Sequence, residues 1–174
     1  MEKHAGWRKI KVEGGYLRFT AAHFITFGGK CENLHGHNYA VEVELEGLSG
    51  EDQLVFDFSV LKHLTRDVCR ALHQHFLLPL RNPHLQITEL ADGWEIHFGA
   101  KRYVFPQEDV LALPLENSTA ECLSEYICHV LRAKLAAYPL TNLRTITVGV
   151  AEAPTQIAWY QEVFDSEAGS SMHF

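Results

Sequence analysis

A chain of 174 residues with 47% hydrophobic side chains can bury one sizeable core, which suits a single domain or a domain carrying one insertion. Its formal charge of -7 argues against a phosphate-backbone binder, which would concentrate Lys and Arg, so no nucleic-acid partner is expected. The start of the chain lacks the apolar run of a signal peptide, and no stretch approaches the roughly 20 apolar residues of a membrane span, so a cytoplasmic protein with no membrane partner is expected.

In chain order, residues 7–25 read as extended, with Gly14-Gly15 as a turn between two strand-like runs, and this predicts a hairpin. After the loop Gly28-Gly29-Lys30, residues 37–46 alternate in character with period two, the mark of a half-buried strand whose odd-numbered side chains share one face. The polar turn Ser49-Gly50-Glu51-Asp52 leads to Leu54-Val55-Phe56. A helix then opens at Phe58, capped by Asp57, and runs to about residue 73. Residues 80–115 are less regular, and Gly93 and Gly99-Ala100 punctuate them as an inserted hairpin would be punctuated. Asn117-Ser118-Thr119-Ala120-Glu121 offers capping side chains for a second helix reaching about residue 137, before Pro139. Strands 144–151 and 156–163 follow, with Pro154 in their turn. No regular βαβ alternation appears, so the class is α+β, with 1–174 as one domain and an insertion at about 80–115.

Cys31, Cys69, Cys122 and Cys128 form no C-x-x-C pair, which predicts neither a zinc finger nor a disulfide framework. The last three fall in helical patterns and are expected to pack. The histidines differ. In His35-Gly36-His37 two imidazoles stand two residues apart, so an extended backbone projects both from one face, about 6 to 7 Å apart at Cα. Gly36 between them lets another group approach the backbone closely. His23 closes the preceding run Phe19-Thr20-Ala21-Ala22-His23, where a neighbouring strand could bring it to the same point. Three neutral imidazoles with an open fourth position suit a catalytic zinc ion. His4, His63, His84, His97, His129 and His173 show no clustering and read as solvated or capping groups.

These residues resemble the 6-pyruvoyl-tetrahydropterin synthase and 6-carboxytetrahydropterin synthase family. The similarity runs through Phe19-Thr20-Ala21-Ala22-His23, Cys31-Glu32-Asn33-Leu34-His35-Gly36-His37-Asn38-Tyr39 and Val55-Phe56-Asp57-Phe58-Ser59-Val60-Leu61-Lys62. Asn117-Ser118-Thr119-Ala120-Glu121 is similar to the family's N-P-T-x-E segment with Ser118 in place of proline, and Glu152 falls where the family has its late strand glutamate.

The resemblance implies a T-fold, a four-stranded antiparallel sheet with two helices on one face. It also implies assembly into homo-oligomers, usually hexamers built as dimers of trimers, with active sites between subunits. The implied activity is that of a zinc-dependent carbon-oxygen lyase on a reduced pterin, 7,8-dihydroneopterin triphosphate, with Zn2+ on His23, His35 and His37. Cys31 would be the general base, and Glu152 would accept hydrogen bonds from the pterin. Thr119 and Glu121 would help form the pocket, although both also fit a helix N-terminus.

Two departures leave alternatives open. Where the two synthases carry an Asp-His pair, this chain reads Leu72-His73-Gln74-His75, so either His73 or His75 moves the proton from a shifted position, or the usual reaction is impaired and the chain is a pterin-binding or regulatory module. Glu32 meets the E-x-x-H-G-H spacing of members that cleave the dihydroneopterin side chain, so the chain carries two candidate bases. For residues 80–115, a cover over the site and an inter-subunit contact are both compatible with the sequence.

Overall fold

The structure is a computed structural model that describes residues 6–164. Its axis is the 13-residue strand β5. Before it come β1 (Arg8–Val12), β2 (Arg18–His23) and a short ribbon of β3 (Thr26–Phe27) with β4 (Lys30–Cys31); β5 itself is His35–Gly47. Along β5 the odd-numbered Tyr39, Val41, Val43 and Leu45 are fully buried, as the alternation predicts.

The expected hairpin at residues 7–25 does not form. β1 and β2 both pair antiparallel with β5 on the same edge, β1 against residues 43–47 and β2 against residues 35–40, so they follow one another in line. Gly14 (φ 92) and Gly15 (φ 33) supply a turn, but it bulges outward instead of reversing the chain. The Leu17 amide closes it on the Gly14 carbonyl at 2.9 Å, and buried Val12 and Leu17 return the chain to the same hydrophobic face.

Helix α1 (Phe58–Leu72) starts where the Asp57 carboxylate accepts from the amides of Ser59 and Val60. Its buried residues Leu61, Leu64, Thr65, Val68, Cys69 and Leu72 recur at three- and four-residue spacing, one stripe against the sheet. β6 (His75–Pro79) follows at once, and residues 80–115 give β7 (Gln86–Glu89), β8 (Gly93–Phe98), β9 (Lys101–Pro106) and β10 (Val110–Leu113). Helix α2 (Ala120–Leu135), capped by the Thr119 hydroxyl on the Cys122 amide, precedes β11 (Leu143–Ala153) and β12 (Gln156–Val163).

The antiparallel set β2-β5-β11-β12, with β1, is the expected four-stranded sheet, and both helices pack on one face of it in a single core. β6 and β10 extend it by parallel pairing. Both meet apolar side chains on two faces, β6 buried from Phe76 on and β10 half-buried before Leu113, and their side chains divide accordingly: Leu77 and Leu113 join the helix-side core. Phe76, Leu78, Val110 and Ala112 join a second cluster with Phe24, Cys31, Trp94 and Ile96. The hairpin read within residues 80–115 is β8 and β9, and β7 adds a third strand. That small sheet supplies the outer wall of the second cluster. Among the described residues no helix is long and apolar enough to cross a membrane. Cys69 and Cys128 pack in the core, and burial pushes both thiols up to about 12.

Candidate metal centre and adjoining cavity

Antiparallel pairing sets His23 of β2 directly opposite His35 of β5, and Ala21 opposite His37. The three imidazoles therefore leave the same face, and one ligand nitrogen from each lies within 4.8 Å of the others. Ring centroids are 4.6 Å apart for His23 and His35, 5.1 Å for His23 and His37, and 5.0 Å for His35 and His37. Gly36 makes the approach possible, because a Cβ there would stand 2.9 Å from the Ala21 carbonyl oxygen.

Two of the rings are oriented by backbone carbonyls. His23 donates from Nδ1 to Ser118 O at 2.8 Å, and His35 donates from Nδ1 to Asn33 O at 2.8 Å. Each bond fixes the tautomer that leaves Nε2 as a lone-pair donor. His23 Nε2 is buried without a hydrogen-bond partner, a costly state for a polar atom unless something else occupies its lone pair. Burial pushes the His23 imidazole down to about 4, with the two neighbouring imidazoles acting in the same direction against the Ser118 bond, so it is neutral at pH 7, as a ligand must be. Donor type, tautomer, spacing and the orphaned nitrogen all fit a divalent cation held by three imidazoles.

Beside this cluster lies a cavity of about 390 Å³ lined by Ile25, Thr119, Ala120, Glu121, Glu152, Gln156, Ile157 and Ala158. The structure thus brings Thr119, Glu121 and Glu152 together. Glu152 reaches the cavity because β11 bulges between Ala151 and Ala153, leaving it without a partner on β12. Chain connectivity ties the cavity to the imidazoles. Ile25 follows His23 by two residues, and Ser118, which holds His23, adjoins Thr119. The Tyr39 hydroxyl sits 3.2 Å from His23 Nδ1, and burial, with the Glu152 charge adding to it, holds that phenol far above its ordinary range.

A family model described as 6-pyruvoyl tetrahydropterin synthase matches residues 14–163. The chain belongs to this family. It is 30% identical over 150 residues to a putative 6-carboxy-5,6,7,8-tetrahydropterin synthase of Methanocaldococcus jannaschii, covering 86% of this chain and 92% of that one. The 6-pyruvoyl tetrahydropterin synthase of Plasmodium vivax superposes with a TM-score of 0.88 at 34% identity, covering 91% of this chain and 99% of that one. Two further structures of the Plasmodium vivax synthase replace a glutamate described as a catalytic residue, one with alanine and one with cysteine. The α+β T-fold expected from the sequence is the observed fold.

The synthase motif places its two candidate bases differently. Cys31 is 8% exposed in the second cluster, and its thiol donates to Glu32 O at 3.4 Å. Burial pushes that thiol up, opposed by the Lys101 ammonium and reinforced by the Glu32 charge. Glu32 is half-buried, with a carboxylate oxygen 3.9 Å from His35 Nε2. Neither His73 nor His75 belongs to the imidazole cluster of this chain. His73 caps α1 and accepts the Thr20 amide on Nδ1 at 3.0 Å. Gln74 (φ 62) and His75 line another cavity of about 370 Å³ with Ala22 and Gly36, which strand alternation places on the opposite face of β5 from the imidazoles.

Sequence reasoning gave no role to Tyr39, Asn33 or Lys101, and read Ser118 only as a helix-capping side chain and a departure from proline, whereas Thr119 is the cap and Ser118 holds His23. Tyr39 continues the odd-numbered face of β5, a readable signal; the contacts of Lys101 with residues 31–33 had none. His63, His97 and His129 pair with Asp67, Glu95 and Glu162, and His84 is exposed; His4 and His173 lie outside the described residues.

Proposed function

We propose that the chain is a zinc-dependent lyase acting on the side chain of 7,8-dihydroneopterin triphosphate, with Glu32 as the proton acceptor. The observation that carries this is the contrast between the two candidate bases: the Cys31 thiol is buried in the second cluster and turned to Glu32 O, whereas a Glu32 carboxylate oxygen lies 3.9 Å from His35 Nε2. The catalytic glutamate of the Plasmodium vivax synthase supports the same assignment.

Bound at His23, His35 and His37, zinc would supply Lewis-acid polarisation of the substrate's side-chain hydroxyls. Glu152 accepts hydrogen bonds from the amino and ring N–H groups of the pterin, a pairing suited to a side chain with two acceptor oxygens. Thr119 and Glu121 complete that wall. Glu32 then takes the proton of a side-chain hydroxyl, whose oxygen becomes the carbonyl of the departing fragment as the adjacent carbon–carbon bond breaks; the electron pair of that bond passes into the conjugated C=N of the dihydropterin ring, and the ring-side carbon takes a proton back. Homo-hexameric assembly, with sites between subunits, belongs to the same reading. It is supported by the open edge of β12, where Ile157, Trp159 and Val163 are exposed.

A second reading makes Cys31 the base of a triphosphate-eliminating synthase, supported by the 6-carboxy synthase name of the Methanocaldococcus jannaschii relative. Mass analysis of products formed by the zinc-loaded protein and its Cys31→Ala and Glu32→Gln variants separates the two. Turnover retained in Cys31→Ala and lost in Glu32→Gln is the expected result. The opposite pattern establishes the second reading, and no product from the wild type rejects both.

A further inference from the structure

The chain between the ligands His23 and His35 carries only the two-residue strands β3 and β4, so its shape depends on what packs outside it. Residues 80–115 provide three anchors. Phe24 stacks on Tyr103 with centroids 5.0 Å apart, and buried Asn82 donates from Nδ2 to Thr26 Oγ1 at 2.9 Å. The third anchor is Lys101, the first residue of β9. A two-residue turn delivers it, with Gly99 at φ 56 and Lys101 in register with Phe98, so its stem leaves a fixed point of the small sheet.

Lys101 Nζ donates to Cys31 O at 2.8 Å, Glu32 O at 3.0 Å and Asn33 Oδ1 at 3.1 Å. An ammonium has three donors, and each has an acceptor here. Its charge also offsets the mutual repulsion of three oxygens gathered about one point. Lys101 is therefore committed to this loop and not to an anionic part of a substrate. Asn33 passes the constraint on, because its own carbonyl accepts His35 Nδ1 at 2.8 Å and so aims His35 Nε2.

We propose that Lys101 is a positioning residue for the metal centre: from residues 80–115 it fixes the loop 31–33, acting through Asn33 on the orientation of His35 and through the Glu32 backbone on the placement of that carboxylate. This rests on the metal-binding part of the proposed function. Lys101→Met keeps the apolar stem and removes the three donors, and Asn33→Ala removes the side chain through which the constraint passes.

The test measures zinc affinity by chelator competition, the Co2+ d–d absorption and the urea midpoint for the wild type, both single variants and the double variant. Lys101→Met is expected to weaken zinc binding about tenfold, as removal of a partner behind a ligand does, and to alter the Co2+ spectrum. The loss in the double variant is expected to be smaller than the sum of the two single losses. With 7,8-dihydroneopterin triphosphate, kcat falls while KM holds. Wild-type zinc affinity and Co2+ spectrum in Lys101→Met, or additive losses, overturn the proposal. Should Lys101→Met fail to fold, Asn33→Ala, at an exposed position, must show the weakened affinity on its own, and its absence overturns the proposal equally. A wild type that binds no metal overturns both this inference and the proposed function, whereas one that binds metal without turnover overturns the function alone.

Discussion

His23 and Ser118, 95 residues apart in the chain, are joined by a 2.8 Å hydrogen bond from the imidazole Nδ1 to the Ser118 carbonyl. Ser118 is only 1% exposed and also holds the chain just after His23, since its hydroxyl donates to Phe24 O at 2.9 Å. Ser118→Ala leaves that carbonyl without this donor in a buried place, so it should cost about 1–3 kcal/mol. A lowered urea midpoint at unchanged m-value is the reading to look for. Ser118→Pro, which restores the residue usual in the family's N-P-T-x-E segment, loses in addition the amide donated to Asn117 Oδ1 and should be no more stable than Ser118→Ala. A proline variant as stable as the wild type would show that the serine is incidental.

The depressed pKa of His23 makes the metal-free protein sensitive to acid in a defined window. The imidazole titrates near 4 when folded and near 6.5 when unfolded, so between these values the unfolded chain binds more protons. The stability tied to His23 is fully present above pH 6.5 and is lost as pH falls towards 4, by roughly 3 kcal/mol at most. Urea midpoints of the metal-free protein from pH 7 to pH 4 should fall less steeply in His23→Asn than in the wild type. Parallel profiles would refute the assignment.

Gly36 tests how closely the two ligand strands must approach. An alanine Cβ there meets the backbone oxygen of Ala21 at 2.9 Å, and neither partner is a flexible side chain that can turn away. β2 and β5 must separate, displacing His35 and His37 together. Gly36→Ala should cost about 1–3 kcal/mol and weaken zinc binding about tenfold, measured by thermal unfolding and chelator competition. Unchanged metal affinity would mean that the imidazoles tolerate the shift.

The legible features were those set by local periodicity. Alternation along β5 placed Tyr39 to Leu45 inward and, carried back two positions at a time, put His35 and His37 on the same face; the capping chemistry of Asp57 and Thr119 marked both helix starts. Pairing partners were another matter. Gly14-Gly15 has the composition of a reversing turn, yet only the hydrophobic demand of Val12 and Leu17 for the same core decides that the chain rejoins the edge of β5. The run Phe76-Leu77-Leu78 has no period, because a strand buried on both faces needs none, and its parallel partner β10 lies more than thirty residues on. Lys101 was invisible for a related reason: an exposed-looking lysine after a turn gives no hint of three acceptors some seventy residues away.

Glu152 offers a test that separates ring recognition from the metal. The β11 bulge turns it into the cavity shared with Thr119 and Glu121, and on the proposed reading its carboxylate would present only acceptors to a pterin edge that presents donors. In Glu152→Gln one oxygen becomes an NH2 group that opposes those donors while the shape is kept. Leaving such polar groups unpaired is costly, so affinity for 7,8-dihydroneopterin, measured by titration calorimetry, should fall about tenfold or more. KM should rise with it and kcat change less, since the lost contact is made in the ground state as well as the transition state. Zinc affinity should stay at the wild-type value, because Glu152 is not part of the three-imidazole cluster. Equal dihydroneopterin affinity in the wild type and Glu152→Gln would remove Glu152 from the pterin pocket while leaving the metal centre untouched.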